Sequence, residues 1–500
     1  MADEKKQEGL KPRLLKGFRD QFSEECLMRR YLVEKISKVY ESYGFVPIET
    51  PSLEYVDVLG KYLPESDKAQ AGIFAFRDND QSWIALRYDL TAPLSRLIAQ
   101  YPNLPRPFRR YQLGMVWRDE KPGLGRFREF YQFDIDTVGA ATMAADAEVC
   151  MVVCDVLERL GFTTGEFLVK INNRKILNGV LEAAGVQPVD ATGEFTPQAL
   201  ITLRAIDKLD RLGSKGVVEL LGKGRRDESG DFTPGAGLGQ PEIELIQKYL
   251  AVTGDSRDGV CDKLAEIVAS STMGKEGVAE LRELSQFLTV AGYGNDKAII
   301  DPTIIRGLSY YTGPVFEAVL TVPYRDEDGN VRSFGSVFGG GRYDGLVERF
   351  LGEKVPATGA SIGLDRILEA MRLLKRIPVP SATAQVLVVT MDKNLMLEYQ
   401  KITCALRKGG IAAEMFLGQG GLKKQLKYAD QWGIPFAVII GSDEMAKQQA
   451  TVKDLHKGRQ LAETVDNRQE WKKAEQTVQM SVPLTSLVSQ LQKLLNIKGI

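Results

Sequence analysis

Two apolar segments separated by a short Pro- and Gly-rich segment dominate residues 109–138, RRYQLGMVWRDEKPGLGRFREFYQFDIDTV. The pattern predicts two antiparallel strands joined by a hairpin loop, KPGLG. Because side chains alternate faces along a strand, the second strand has one apolar and one mainly polar face. The apolar face carries Tyr131, Phe133 and Ile135, and the other carries Phe130, Gln132, Asp134 and Asp136. The polar face must meet water, as in a solvated hairpin, or line a pocket.

Charged and aromatic side chains mark the loop end of this hairpin. Arg118 and Glu120 follow the first strand, and Arg126, Arg128 and Phe130 begin the second. Arginine side chains bind phosphate and carboxylate oxygens through two parallel hydrogen bonds. An aromatic ring can stack on a nucleic-acid base. These residue types suit a nucleotide.

Length and composition limit the class of protein. A chain of 500 residues with 44% hydrophobic and 26% charged residues predicts two to four soluble globular domains. The 65 basic and 66 acidic residues nearly cancel, so nucleic-acid binding would need local patches. No apolar run is long enough to span a membrane, and the start, MADEKKQEGLKPR, resembles neither a secretory nor a transit peptide. We therefore expect a cytoplasmic protein without membrane contact.

Cysteine and histidine usage argues against a metal site. The five cysteines form no CxxC pair, and Cys150 and Cys154 lie within a helical apolar pattern, so we expect buried free thiols. The single histidine, His456, makes zinc sites and Ser-His-Asp triads implausible. We predict no protein-bound structural metal.

The periodicity of the rest of the chain predicts several domains. Short helical patterns surround a Gly- and charge-rich loop, 224–239, which indicates an inserted helical domain. A Pro/Ser linker precedes alternating strands and helices, which predict an open α/β domain with a largely parallel core. The predicted limits are 1–169 and 296–375 for two halves of one domain, 170–295 for the insertion, 376–384 for the linker and 385–500 for the last domain.

The segment IALRYDLTAPL reads as a strand, a turn and a helix. Arg87, Asp89 and Thr91 alternate on one side where the strand ends. Asp89 or Thr91 could form part of a site, or could simply cap the helix.

Two later segments place arginines beside aromatic or small residues. RGLSYYTG sets Arg306 close to Tyr310 and Tyr311 between apolar strands, although a tyrosine pair packed in the core is the alternative. In ATGASIGLDRILEAM, small residues precede a helix that carries Arg366, a pattern that packing of the helix also explains.

Several of these segments resemble motifs of one enzyme family. The spacing R-x-E, a loop, then R-x-x-x-F resembles the second motif of the class II aminoacyl-tRNA synthetases. The helix and proline-ended strand at 23–51 resemble their first motif, a dimer interface in that family, and GLDR resembles part of the third. LRYDLT, RGLSYYTG and GGRYDGL resemble motifs of histidyl-tRNA synthetases, although Ser309 stands where Asp is usual. The last domain resembles the anticodon-binding domain of histidyl, prolyl, threonyl and glycyl synthetases.

This resemblance implies a role for each candidate residue. Arg118 and Arg306 would hold the carboxylate of histidine and the α-phosphate of ATP. The other implied ATP contacts are Arg126 and Arg366 on the outer phosphates, Phe130 stacked on adenine, and Glu120. The other implied histidine contacts are Asp89, Thr91 and Gln132 at the ammonium group, Asp136 and Tyr311 at the imidazole nitrogens, and Tyr310.

The resemblance also implies a fold and a reaction. The fold is α+β, an antiparallel-sheet catalytic domain with a helical insertion, plus a C-terminal α/β anticodon-binding domain. A homodimer would activate histidine with ATP and Mg²⁺ and transfer it to the 3′ end of tRNA(His). Basic residues of the insertion and of the last domain could meet tRNA, or could form solvated surfaces.

Two alternatives stay open on the motifs alone. A catalytically silent paralogue that binds histidine for regulation would lack the anticodon-binding domain and parts of RGLxYYTG, and both are present here. The second alternative is a class II synthetase for another amino acid. Threonyl enzymes need zinc ligands, which this chain does not offer, and the pair RGLSYYTG and GGRYDGL disfavours a prolyl enzyme.

Overall fold

The computed structural model describes residues 10–59, 72–121, 127–190, 195–226, 230–305, 307, 310–326, 328–377, 382–464 and 478–497. The chain forms two compact units, one of Met1–Asp20 with Leu32–Ile377 and one of Gln21–Tyr31 with Pro378–Ile500. Within the described ranges, no helix has the length and apolar character that crossing a membrane requires.

The predicted hairpin strands are present. The first elements are α1 (Ser23–Ser42), β1 (Val46–Pro47), β2 (Leu53–Tyr55), α2 (Val56–Leu59), β3 (Ala75–Arg77), β4 (Trp83–Leu86), α3 (Thr91–Gln100), β5 (Phe108–Trp117) and β6 (Glu129–Val138). Strands β5 and β6 are antiparallel, with Trp117 opposite Glu129 and Phe108 opposite Val138. Residues 122–126, most of the predicted loop, lie outside the described residues.

After β6 the chain forms a helix, one further strand and then a mainly helical region. Its elements are α4 (Met143–Arg159), β7 (Phe167–Asn173), α5 (Arg174–Ala183), α6 (Pro197–Ile206), α7 (Leu209–Leu221), β8 (Gly224–Arg226), β9 (Phe232–Pro234), α8 (Gln240–Leu250), α9 (Arg257–Ile267) and α10 (Thr272–Val290). Cys150 and Cys154 are buried free thiols on α4, as predicted. The segment predicted as a loop contains the β8–β9 ribbon, since Phe232 and Thr233 are residue types that favour strands.

A mostly antiparallel sheet organises the larger unit. Its last elements are β10 (Ala298–Ile300), β11 (Pro314–Arg325), β12 (Val331–Arg342), α11 (Glu348–Leu351), β13 (Ala357–Gly363) and α12 (Leu364–Leu373). The eight strands run in the order β1-β5-β6-β13-β12-β11-β7-β10, and only the outer pairs β1–β5 and β7–β10 are parallel among those described. Because β7 belongs to this sheet, the helical run itself begins at Arg174, and the predicted limits of the insertion stay predictions.

The smaller unit contains a five-stranded sheet. Its elements are β14 (Val386–Val388), a short 3-10 helix (Lys393–Leu395), α13 (Met396–Lys408), β15 (Ala413–Met415), α14 (Leu422–Gln431), β16 (Phe436–Ile439), α15 (Ser442–Ala446), β17 (Gln449–Asp454), α16 (Leu455–Thr464), β18 (Gln479–Pro483), a second 3-10 helix (Leu484–Ser486) and α17 (Leu487–Leu494). The order is β15-β14-β16-β17-β18. The first three strands are parallel, as predicted. The antiparallel β17 and β18 were not predicted, because QATVKD and QMSVP lack an apolar run.

Candidate active site

A cavity of about 800 Å³ opens on one face of the eight-stranded sheet. Strand β6 supplies part of its wall, and the apolar residues Phe133 and Ile135 of the same strand are fully buried on the other face. Gln132, Asp134 and Asp136 all line the cavity. The polar face predicted from the alternation of β6 therefore lines a pocket rather than meeting open solvent.

Asp136 is held from two sides. Nη2 of Arg110 on β5 lies 2.6 Å from Oδ2 of Asp136, and the Tyr343 hydroxyl donates a hydrogen bond to Oδ1. On the neighbouring strand β13, a Cβ at Gly359 would collide with this carboxylate, so only glycine leaves room for it. Burial raises the pKa of Asp136 to about 6, although Arg110 and Tyr343 both favour the ionised form. Arg110 and Tyr343 thus favour the carboxylate form of Asp136, which is a hydrogen-bond acceptor.

Two acceptor atoms on this wall lack a partner. Oε1 of Gln132 and Oδ1 of Asp134 are buried and have no hydrogen-bond partner among the described residues. The amide nitrogen of Gln132 donates to Oγ of Ser361 at 2.8 Å, which orients the amide. Burial also raises the pKa of Asp134 to about 7. A buried acceptor without a donor costs about 1–3 kcal/mol, so this wall suits a ligand that brings N–H groups, such as an ammonium.

Asp89 has the capping role that the sequence left open, and its role in a site stays a prediction. Its Oδ1 accepts the backbone N–H groups of Thr91 at 3.1 Å and Ala92 at 2.9 Å, and so caps the start of α3. Asp89 and Thr91 also line the cavity. Arg87 does not line the cavity. It is buried and donates to the backbone oxygens of Met115 and Thr50.

The loop end of the hairpin forms another part of the cavity. Arg118, Glu120, Phe130 and Arg366 line it. The Arg118 guanidinium lies 5.1 Å from the centre of the Phe130 ring, and its Nε donates to the backbone oxygen of Tyr88 at 3.1 Å. Arg366, on the first turn of α12, donates to the backbone oxygen of Ser336. Arg126 lies outside the described residues.

The two predicted tyrosines also reach the cavity. Tyr310 and Tyr311 line it, with ring centres 5.0 Å apart in an edge-to-face arrangement. Both also pack against the buried cluster around Leu94 and Tyr343, so the core packing considered above is present as well. Arg306 and Ser309 lie outside the described residues.

Comparison with known proteins identifies the family. The family model described as histidyl-tRNA synthetase matches residues 17–367, well over half of the chain. The chain belongs to the histidyl-tRNA synthetase family. A model of the anticodon-binding domain matches residues 385–494, which agrees with the α/β sheet of the smaller unit. The resemblance seen in the sequence motifs is confirmed at the level of the family and of its two kinds of domain.

Relatives and one solved structure of this family align over nearly the full chain. The chain is 49% identical to the histidine–tRNA ligase of Cereibacter sphaeroides over 96% of this chain and 97% of that protein. It is 48% identical to that of Dinoroseobacter shibae over 99% of both. A crystal structure of histidyl-tRNA synthetase from Nostoc is 31% identical, with a TM-score of 0.73 over 97% of this chain and all of the other. A Bacillus halodurans structure described as an ATP phosphoribosyltransferase regulatory subunit/histidyl-tRNA synthetase, at 22% identity, shares the fold.

Several cavity residues were not predicted from the sequence. Tyr343 belongs to GGRYDGL, but its contact with Asp136 joins residues that are 207 positions apart in the chain. Asp365 and Glu317 line the cavity beside predicted residues. Arg110 could have been found, since it lies opposite Asp136 once the hairpin is aligned about its loop. To find this pair, one counts residues outward from the loop along both strands and keeps those that share a face under the period of two.

Proposed function

We propose that this chain is an ATP-dependent histidine–tRNA ligase that acts in translation. It activates histidine to histidyl-adenylate and transfers the histidyl group to the 3′ end of tRNA(His). The observation that carries this proposal is the polar face of β6 within the cavity of a synthetase-family chain. Its buried acceptors suit a ligand with an ammonium group and a second N–H group.

Two displacement steps make up the reaction. A carboxylate oxygen of histidine attacks the α-phosphorus of ATP, and the bond from that phosphorus to the β-phosphate oxygen breaks, so diphosphate leaves. A terminal ribose hydroxyl of tRNA then attacks the acyl carbon and loses its proton, and AMP leaves. Both steps depend on placing the reactants and stabilising negative charge, not on a protein nucleophile.

The amino acid is assigned to the β6 side of the cavity. Asp89, Thr91 and Gln132 would bind the ammonium, and Asp134 would add a second carboxyl group there. Asp136 and Tyr311 would contact the two imidazole nitrogens, and Tyr310 would complete the wall. A site built on such hydrogen bonds rejects analogues that lack them by roughly 10⁴–10⁵, because its own polar groups would be left unpaired.

The nucleotide is assigned to the loop end of the hairpin. Arg118 and Arg306 would hold the reacting carboxylate and the α-phosphate. Arg126 and Arg366 would hold the outer phosphates, and Phe130 would stack on adenine. This assignment is supported by the fact that Arg118, Phe130 and Arg366 all line the cavity.

Mg²⁺ would enter with the phosphates of ATP. Mg²⁺ at nucleotide sites is commonly held by one or two carboxylates together with phosphate oxygens. Glu120 and Glu317 line the cavity and provide carboxylates of this kind. In the parts of the chain that the structure describes, no cluster of three His, Cys, Asp or Glu side chains could hold a metal ion by itself.

The tRNA would contact the smaller unit. A second cavity there, of about 490 Å³, is lined by Arg407, Phe416, Leu417 and Tyr428 among others. Aromatic side chains stack on exposed bases, and arginine binds phosphates, so this surface suits an unpaired anticodon.

We also propose a cytoplasmic homodimer. The three-stranded sheet β2-β4-β3 exposes four large apolar side chains, Leu53, Tyr55, Phe76 and Trp83. Exposed apolar patches of this kind mark protein interfaces. Sedimentation velocity should give twice the mass of the 55.4 kDa chain. A monomer at micromolar concentration would contradict this assignment.

Charging of tRNA tests the proposed reaction. Bulk bacterial tRNA should accept radiolabelled histidine in a reaction that needs both ATP and the enzyme. The amount of charged tRNA should level off at the amount of tRNA(His) present. A pure tRNA(His) transcript should be charged as well as the bulk tRNA is. Histidine binding without adenylate formation or charging would favour the silent regulatory paralogue instead.

A further inference from the structure

The segment Gly17–Asp20 lies beside the wall of the active-site cavity. The backbone oxygen of Gly17 accepts the N–H of Arg128 at 2.9 Å, directly before β6 begins. The Phe18 ring packs edge-to-face on Phe74, with ring centres 5.8 Å apart. These contacts bring the next residue, Arg19, to the loop end of the hairpin.

Arg19 makes two contacts with cavity residues. Its Nη2 lies 3.2 Å from Oδ1 of Asp365, and this pair is partly buried, with side chains 30% and 14% exposed. Its guanidinium carbon lies 4.0 Å above the centre of the Phe127 ring. Both Asp365 and Phe127 line the cavity, whereas Arg19 is not among the lining residues.

Asp365 connects three parts of this wall. Its Oδ2 accepts the backbone N–H of Tyr131 at 3.0 Å, so it joins the first turn of α12 to the start of β6. Its other oxygen is the one that faces Arg19. Arg366, the next residue, lines the cavity on the same turn of the helix. A change in the position of Asp365 would therefore move Arg366 and the start of β6 together.

We propose that Arg19 is a positioning residue for ATP binding, acting through Asp365 and Phe127. Its charge fixes the carboxylate of Asp365, and its planar guanidinium covers one face of the Phe127 ring. A lysine could keep the ion pair but has no planar group to stack on the ring. This inference rests on the proposed function, because it uses the assignment of Arg366 and Phe130 to the nucleotide.

The test compares two variants of Arg19 and one control variant in ATP–diphosphate exchange, with KM measured separately for ATP and for histidine. Arg19→Ala should raise the KM for ATP roughly tenfold, between the effects of exposed and of buried ion pairs. Arg19→Lys should raise it about threefold. The KM for histidine should change less than about twofold in both. Lys16, an exposed residue directly before this segment, provides the matched control, and Lys16→Ala should behave as the wild type.

A double variant tests the route through Asp365. If Arg19 acts through Asp365, then Arg19→Ala combined with Asp365→Asn should weaken ATP binding little more than Asp365→Asn alone. Thermal unfolding by circular dichroism checks folding, and Arg19→Lys decides the matter if Arg19→Ala is unfolded at the assay temperature.

The possible results separate this inference from the proposed function. An ATP KM for Arg19→Ala within twofold of Lys16→Ala, or an equal rise in both KM values, would overturn the positioning role. If the wild type shows no histidine-dependent exchange, the proposed function fails instead. In that case, calorimetric titration with ATP and Mg²⁺ measures the ATP dissociation constant directly. Arg19→Ala should still bind ATP about tenfold more weakly than the wild type.

Discussion

Replacing Arg110 by methionine should make both stability and histidine binding depend more strongly on pH. Arg110 is fully buried, and it is the charge that opposes the upward pKa shifts of Asp134 and Asp136. Methionine fills a similar volume without charge. The pKa of both carboxyls should then rise further above their values of about 7 and about 6. Each additional unit of pKa corresponds to about 1.4 kcal/mol.

The sign of the stability change follows from proton binding. An unfolded aspartate titrates near pH 4, so between pH 4 and the raised pKa the native state binds more protons than the unfolded state. Stability from the neutral carboxyls is thus present at low pH and lost as the pH rises through the folded pKa. Removing Arg110 extends this loss to higher pH. We expect Arg110→Met to lose about 2–3 kcal/mol more, relative to wild type, at pH 8 than at pH 5.

Denaturant unfolding at pH 5 and pH 8 measures this difference directly. Arg257→Met is the matched control. Arg257 is also buried, but it donates to Ser285, Thr289 and backbone oxygens rather than to a carboxylate, so its loss should cost the same at both pH values. In the exchange assay, the KM of Arg110→Met for histidine should rise at pH 7 and recover at pH 8.5. A stability loss that is equal at both pH values would refute the reasoning.

Three further predictions concern the proposed roles. Asp136→Asn should raise the KM for histidine at least about tenfold and leave that for ATP nearly unchanged, because an amide N–H would face the imidazole where an acceptor is needed; a change confined to ATP would place Asp136 at the nucleotide. Arg306→Ala should slow adenylation by about 10²–10³, the scale of one preorganised donor, with little effect on histidine binding; unchanged adenylation in rapid-quench experiments would exclude this role. Truncation after Arg376 should preserve adenylation and abolish efficient charging. Since residues 21–31 belong to the same compact unit as the removed part, folding of the truncated chain must be verified first.

The hairpin and its polar face could be predicted because both depend on local periodicity. A period of two along β6 separates Phe133 and Ile135 from Gln132, Asp134 and Asp136 whatever the rest of the chain does. The residues that contact Asp136 were harder to predict. The family resemblance implied that Asp136 would contact an imidazole nitrogen of histidine, whereas in the structure Arg110 and Tyr343 already contact its carboxylate.

The contacts that were not predicted join residues far apart in the chain. Arg19 and Asp365 are separated by 346 positions, and no local pattern links them. Tyr343 directly follows β12, and β13 pairs with both β12 and β6, a strand order that hydrophobic periodicity does not specify. Strand order and the pairing of buried charges thus required the structure.

Amino-acid-dependent ATP–diphosphate exchange, run with each of the twenty amino acids, tests the central claim most directly. The cavity joins acceptors suited to an ammonium with Asp136 and Tyr311, which are assigned to an imidazole. Histidine alone should support exchange above background, and Asp136→Asn should reduce that exchange at low histidine concentration. Exchange supported by a different amino acid, or by none, would contradict the account.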